Sequence, residues 1–179
     1  MIDHAHFELW SSKYWGLAWS FQVNPSSCGN PEYFENYIRF CAIGDNQSGL
    51  STTHAFLDDD ENQLMGFVSL KLTSVLHEYN GYTIGDPALE ISNLAVSQAY
   101  ERKGVGSSLI DFVIEQAYTI NQQFAGVKYI TLAADEKAVG FYEKMEFHKL
   151  RDYFEIPRQQ DNKGCIPMFM QMRHDFGDY

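Results

Sequence analysis

Apolar side chains recur at steps of three and four from position 105 to 124, where Val105, Leu109, Phe112, Val113, Ala117, Ile120 and Phe124 mark one face of a long helix. Other stretches have strand character. Positions 52–57 read as a short strand. Positions 65–76, rich in β-formers such as Phe67, Val68, Leu70, Leu72 and Val75, read as a second. The acidic run 58–62 between them predicts an antiparallel pair joined by a short loop. Positions 77–86 read as a connection containing Gly and Tyr, which Pro87 closes before a strand over 89–96. Positions 127–133 form an unbroken run of β-formers, the pattern of a strand buried on both faces. Asn30 followed by Pro31 and Glu32 is a helix start, and Tyr33, Phe34, Tyr37, Ile38 and Cys41 continue it to a stop near Gly44, with 45–49 as a turn. Asp135 caps a further helix to about Met145. Positions 147–154 and 166–172 predict a closing antiparallel pair around a polar loop at 157–164. The aromatic stretch 7–19, with Trp10, Trp15 and Trp19, reads as core or as the wall of a pocket. The order of elements is that of a single α/β domain spanning 1–179, with a mixed, mostly antiparallel central sheet flanked by helices.

Composition narrows the classes. The chain has 179 residues, 45% of them hydrophobic, enough for one sizeable core without staples. Its 13 Lys and Arg against 24 Asp and Glu give a net charge of −11, so a basic footprint for nucleic acid is missing from the chain as a whole. Three cysteines, Cys28, Cys41 and Cys165, show no CxxC spacing and argue against a disulfide framework or a thiolate metal site. His4 and His6 are two ligands without a third, so no metal is expected. The N-terminus lacks a signal-peptide pattern, and no run of 18 apolar residues occurs. A soluble cytoplasmic protein with no membrane partner is the expectation.

The chemistry concentrates between Glu90 and Phe147. A strand runs into a tight turn, Arg102-Lys103-Gly104-Val105-Gly106, and the turn opens the long helix. Free amides at a helix N-terminus, with glycines that permit close approach, make an anion site. No Gly-Lys-Ser/Thr follows, and there is no third glycine, so neither a Walker loop nor a dinucleotide fingerprint is present. Asn93-Leu94-Ala95-Val96 followed by Tyr100-Glu101-Arg102-Lys103-Gly104-Val105-Gly106-Ser107-Ser108-Leu109 resembles motif A of the GNAT acetyltransferases. The run from Asp135 through Ala138 and Phe141-Tyr142 to Phe147 resembles their motif B. The sequence departs from the family at three positions. Glu101 stands where Gln or Arg is usual, and Asp135 replaces Asn. Glu146 replaces the Gly before Phe147, for which a different turn is expected.

The resemblance implies acetyl-CoA as cosubstrate. It places the pyrophosphate on the amides from about Arg102 through Lys103, Gly104, Val105 and Gly106 to Ser107, and counts Glu101 and Asp135 with the cofactor-binding residues. The pantetheine arm would pair with Leu94, Ala95 and Val96, and the Val96 amide would meet the thioester oxygen. The same resemblance makes Tyr142 the acid that protonates the leaving thiolate. It makes Glu90, four residues before Leu94, the base for the attacking amine. The alternatives are a core aromatic for Tyr142 and a half-buried carboxylate in a salt bridge for Glu90. His77 and Glu78 could line the acceptor side.

A small-molecule or protein amine is the expected acceptor, and a homodimer stays open. The segment 28–32 before a helix, followed by strands at 66–70 and 91–96, is also similar to GNAT toxins that acetylate aminoacyl-tRNA. With a charge of −11, nucleic acid ranks as an unlikely partner, and tRNA is kept as the alternative. A CoA-binding module without turnover is the third reading.

Overall fold

A computed structural model describes residues 4–59, 62–153 and 164–172. Seven strands form one sheet: β1 (Ala5–Leu9), β2 (Thr52–Asp58), β3 (Gln63–Tyr79), β4 (Tyr82–Val96), β5 (Tyr129–Asp135), β6 (His148–Lys149) and β7 (Cys165–Gln171), in the order β1-β2-β3-β4-β5-β7-β6. Only β4 and β5 run parallel. They are joined across one face by the helix expected from the heptad-like spacing, α3 (Val105–Gln123), whose Leu109, Ile110, Val113 and Ala117 are buried. The other face carries the N-terminal third: a 3-10 segment (Ser12–Trp19), α1 (Pro31–Asn36), a π-helical turn (Tyr37–Cys41) and α2 (Ala42–Ser48). Period-two alternation along β3 divides the sheet between two cores. Val68 packs on the α3 side, and Phe67 on the side of Trp10, Phe21 and Tyr37. A mixed, mostly antiparallel sheet flanked by helices is therefore what the sequence forms.

Several boundaries differ from expectation, each for a local reason. The N-terminal helix does not stop at Gly44. It continues to Ser48 because Asn46 ties its last turn to neighbours: its amide donates to the Trp10 carbonyl at 2.9 Å, and its oxygen accepts from the Thr53 amide at 2.7 Å. Gly49, at φ +72°, is the left-handed cap. The stretch 77–86 is not a loose connection. It is the outer half of a long β3–β4 ribbon that turns through Asn80 and Gly81, both at positive φ, the pair that a two-residue hairpin favours. Trp10 is core, while Trp15 and Trp19 are exposed. Glu146 takes φ +65°, a left-handed turn with a glutamate in it. β6 is only two residues long, and the loop at 157–163, like Asp60 and Glu61 of the acidic loop, lies outside the described residues. The short helix α4 (Val139–Lys144) follows a 3-10 turn (Glu136–Ala138) that Asp135 caps, its Oδ1 accepting from the Lys137 amide at 2.9 Å.

Candidate functional site

The parallel pairing of β4 and β5 lasts only from Ala88–Tyr129 to Ile91–Leu132. Beyond Ile91, β4 slips its register against β3 at the Ser69/Leu70 step, where Ser92 is the extra residue, and the two parallel strands part. A cleft of about 550 Å³ opens in the gap. The Ser97 amide donates to the Met65 carbonyl at 2.8 Å, which makes Gly66–Val96 a non-bonded antiparallel pair. The backbone groups of Val96 and, two residues back, Leu94 therefore turn toward the open edge, where an extended chain could continue the sheet.

One end of the cleft is the anion cradle. Gly104 sits at φ +87° as the residue before α3, and Arg102 is also left-handed at φ +58°. The first intrahelical bond is Ser108 N to Gly104 O at 3.0 Å, and no side chain caps the helix, which leaves the amides of Val105, Gly106 and Ser107 without intrahelical acceptors. A Cβ on Gly104 would meet nothing within 4 Å, so the space beside this turn is empty and fits a phosphate group. Gly106 serves packing: a Cβ there would lie 3.1 Å from the Phe141 ring. Lys103 and Val105 do not line the cleft. The Lys103 ammonium stands over the Tyr100 ring at 5.1 Å, and Val105 is buried in the core.

The other end holds Tyr142. Its ring is buried edge-on against Phe141 and Phe147, with centroids at 5.1 and 5.7 Å. Among the described residues its hydroxyl has no hydrogen-bond partner. Burial, with the Cys28 thiol nearby adding to it, lifts its pKa far above the usual tyrosine value, so the hydroxyl keeps its proton. Glu90 is not brought here. It pairs across strands with Lys71 at 3.1 Å, half-buried, and does not line the cleft. His77 and Glu78 lie on the outer ribbon, bonded to Asp86 and Thr83, and do not line it either. Among the described residues no group of three metal-ligating side chains occurs, and no helix is long and apolar enough to cross a membrane.

The sequence reading missed a strap. Residues 24–29 lie over the cleft and are tied to both banks. Asn24 and Ser27 donate to the Glu101 carboxylate at 2.8 and 2.5 Å. On the opposite bank Lys137 donates to the Pro25 carbonyl at 3.1 Å, and the Gly29 amide donates to Asp135 Oδ2 at 3.0 Å. The Glu101 carboxylate is thus held by the strap, while Glu101 still lines the cleft. Cys28, read as an ordinary thiol, lines the cleft. The signal available was the small polar run Asn24-Pro25-Ser26-Ser27, whose partners are more than 70 residues away in sequence. A side chain at Gly29 would overlap Asp135. Gly29→Val should therefore loosen the strap by roughly 1 kcal/mol, one hydrogen bond, raising amide exchange over 24–29 about fivefold while exchange in α3 is unchanged. Hydrogen-exchange mass spectrometry reads both.

The acetyltransferase (GNAT) family pattern matches residues 12–147. No curated protein sequence matches the chain. Solved structures share the fold. A bacterial toxin, 22% identical, aligns over 93% of this chain and 90% of its own with a TM-score of 0.72. The toxin AtaT complexed with acetyl-methionyl-tRNAfMet, 13% identical, aligns over 93% and 94% with a TM-score of 0.73. An AtaT mutant bound to the C-terminus of the antitoxin AtaR and acetyl-CoA, 15% identical, aligns over 94% of each chain with a TM-score of 0.68. These likenesses overturn the expectation of a small-molecule or protein amine acceptor with nucleic acid as an unlikely partner, since proteins of this fold engage tRNA and antitoxin. Net charge could not decide the acceptor, because it sums the whole surface, whereas a docking face is local.

Proposed function

The chain belongs to the acetyltransferase (GNAT) family, and from that premise we propose that it transfers the acetyl group of acetyl-CoA to the α-amino group of an aminoacyl-tRNA. The observation that carries the reading is the continuity of the cleft, from a cradle of free amides at Gly104–Ser107, along the open edge of β4, to the unpartnered Tyr142 hydroxyl. The tRNA acceptor is supported by the likeness to AtaT over nearly the whole of both chains. Acetyl-CoA supplies the acetyl group as a thioester. The cradle amides and Arg102 hold its pyrophosphate, Leu94 and Val96 pair with its extended arm, and the Val96 amide donates to the thioester oxygen as negative charge develops there. The neutral amine attacks the carbonyl carbon, an N–C bond forms and the C–S bond breaks. One proton leaves the amine, and the Tyr142 hydroxyl gives one to the thiolate, so the proton count balances once Tyr142 is reprotonated from solvent. Incubation with acetyl-CoA and a set of charged tRNAs, followed by analysis of the released aminoacyl group, tests the function. A mass increase of one acetyl group is expected, and its absence from every charged tRNA would overturn the acceptor.

Glu90 is the proposed base, acting from beside the cleft rather than within it. Its ion pair with Lys71 is partly exposed and contributes roughly 0–1 kcal/mol, so Glu90→Gln should fold normally. The expected outcome is a lower rate at neutral pH with acetyl-CoA affinity intact. An unchanged rate would assign Glu90 to the ion pair alone.

A further inference from the structure

Besides the Tyr142 hydroxyl, a second polar group in the cleft has no bond among the described residues. Asn93 is 6% exposed and lines the cleft, and its Oδ1 is sealed from solvent without a hydrogen-bond partner among the described residues. A buried carbonyl of this kind is normally satisfied, because leaving it unmade costs its full desolvation. The neighbours do not offer a bond. Ser69, directly opposite Asn93 on β3, turns its hydroxyl to Thr53 at 2.8 Å, and Ser92 bonds the Ser69 carbonyl at 3.2 Å. The position of Asn93 says what it awaits. Along β4, Leu94 and Val96 pack toward α3, while Ala95 packs toward Phe67 and Tyr37. Asn93 shares the Ala95 face by strand alternation, the side covered by the segment that includes Val23 and Phe34. It therefore stands beside the open edge of β4, across the sheet from the helix that carries the cradle.

We propose that Asn93 binds the attacking amine of the acyl acceptor, its amide oxygen accepting an N–H and so holding the nitrogen lone pair toward the thioester carbon. This deepens, and rests on, the reading of the chain as an aminoacyl-tRNA acetyltransferase. An amine fits where other groups do not. It donates to the amide oxygen while keeping a lone pair for attack, and a neutral amide stabilises the unreactive ammonium form less than a carboxylate would. The strand edge at Leu94 and Val96 offers its backbone groups in the plane of the sheet, to the donor arm. Asn93 stands off the sheet face, on the side left to the acceptor.

The experiment compares wild type, Asn93→Leu and Asn93→Asp with acetyl-CoA and whichever charged tRNA the wild type acetylates. Leucine keeps the branching at Cγ, is somewhat larger, and removes the unpaired carbonyl. The free Asn93→Leu protein should therefore melt a few degrees higher than wild type, while kcat/KM for the charged tRNA falls roughly a hundredfold and the acetyl-CoA dissociation constant stays within about twofold. Asn93→Asp should hold the amine as ammonium, so its acidic limb should move to higher pH. Equal kcat/KM in Asn93→Leu, or a melting temperature well below that of wild type, would overturn the role of Asn93. A weakened acetyl-CoA affinity would overturn it in favour of a contact to the donor arm. If the wild type acetylates no charged tRNA, the acceptor reading fails first and this inference with it, an outcome seen before any variant is compared.

Discussion

Gly104→Glu should abolish acetyl-CoA binding, and should do so without unfolding the protein. Gly104 lines the cleft in a left-handed conformation at the head of α3, and the place where its Cβ would stand is open. A glutamate there has room for its side chain and brings a carboxylate to the amides of Val105, Gly106 and Ser107, where it competes with the pyrophosphate for the same donors. The left-handed conformation costs a non-glycine residue about 1–2 kcal/mol, which a domain of this size tolerates. Wild-type protein at a hundredfold excess of acetyl-CoA over its dissociation constant should gain about 2.7 kcal/mol, a rise of roughly 5–10 °C in melting temperature. The variant should show none. Gly104→Ala separates the two effects, because it carries the strain without the charge and should keep most of the rise. A full thermal shift in a folded Gly104→Glu protein would remove the cradle from the cofactor site.

Tyr142→Phe should lower the single-turnover rate by roughly 10² or more, the usual scale for a general acid, and leave acetyl-CoA affinity almost unchanged. The ring makes the packing contacts with Phe141 and Phe147, and phenylalanine keeps them. The hydroxyl has no hydrogen bond to lose among the described residues, so stability should change little. The direction of the pKa shift adds a test. Burial raises the value, so the proton is present throughout the neutral and mildly alkaline range, and no descending limb there should belong to Tyr142. Single-turnover measurements across pH with one charged tRNA compare the two proteins. Equal rates would mean that the thiolate leaves unprotonated or takes its proton from water, and that Tyr142 serves the core.

Local rules determined a good part of this protein. The spacing of Val105, Leu109, Val113 and Ala117 requires one buried helix face whatever surrounds it, and α3 is that helix. Gly104 and Gly106 between a strand and that helix determine an anion cradle, because a helix start has free amides by construction and a glycine can hold the left-handed turn before it. Asp135 caps the turn that follows β5 because its own side chain reaches the Lys137 amide two residues on. Each of these depends on residues close together in the chain, so the sequence carries them directly.

Tertiary structure decided the rest, wherever the deciding partner is distant in sequence. The helix passes Gly44 because Asn46 finds Trp10 and Thr53. The Glu101 carboxylate is engaged because Asn24 and Ser27, about 75 positions earlier, present donors to it, and the same segment reaches Asp135 and Lys137 to become a strap. Glu90 faces Lys71 because β3 and β4 pair in one register, and Asn93 is left without a partner because that register slips at Ser92 and β5 departs at the same level. A side chain's type announces what it can bond, whereas sheet register and strand divergence determine what it meets. The helix start with its free amides could therefore be read from the sequence, while the strap and the unpaired amide of Asn93 required the folded chain.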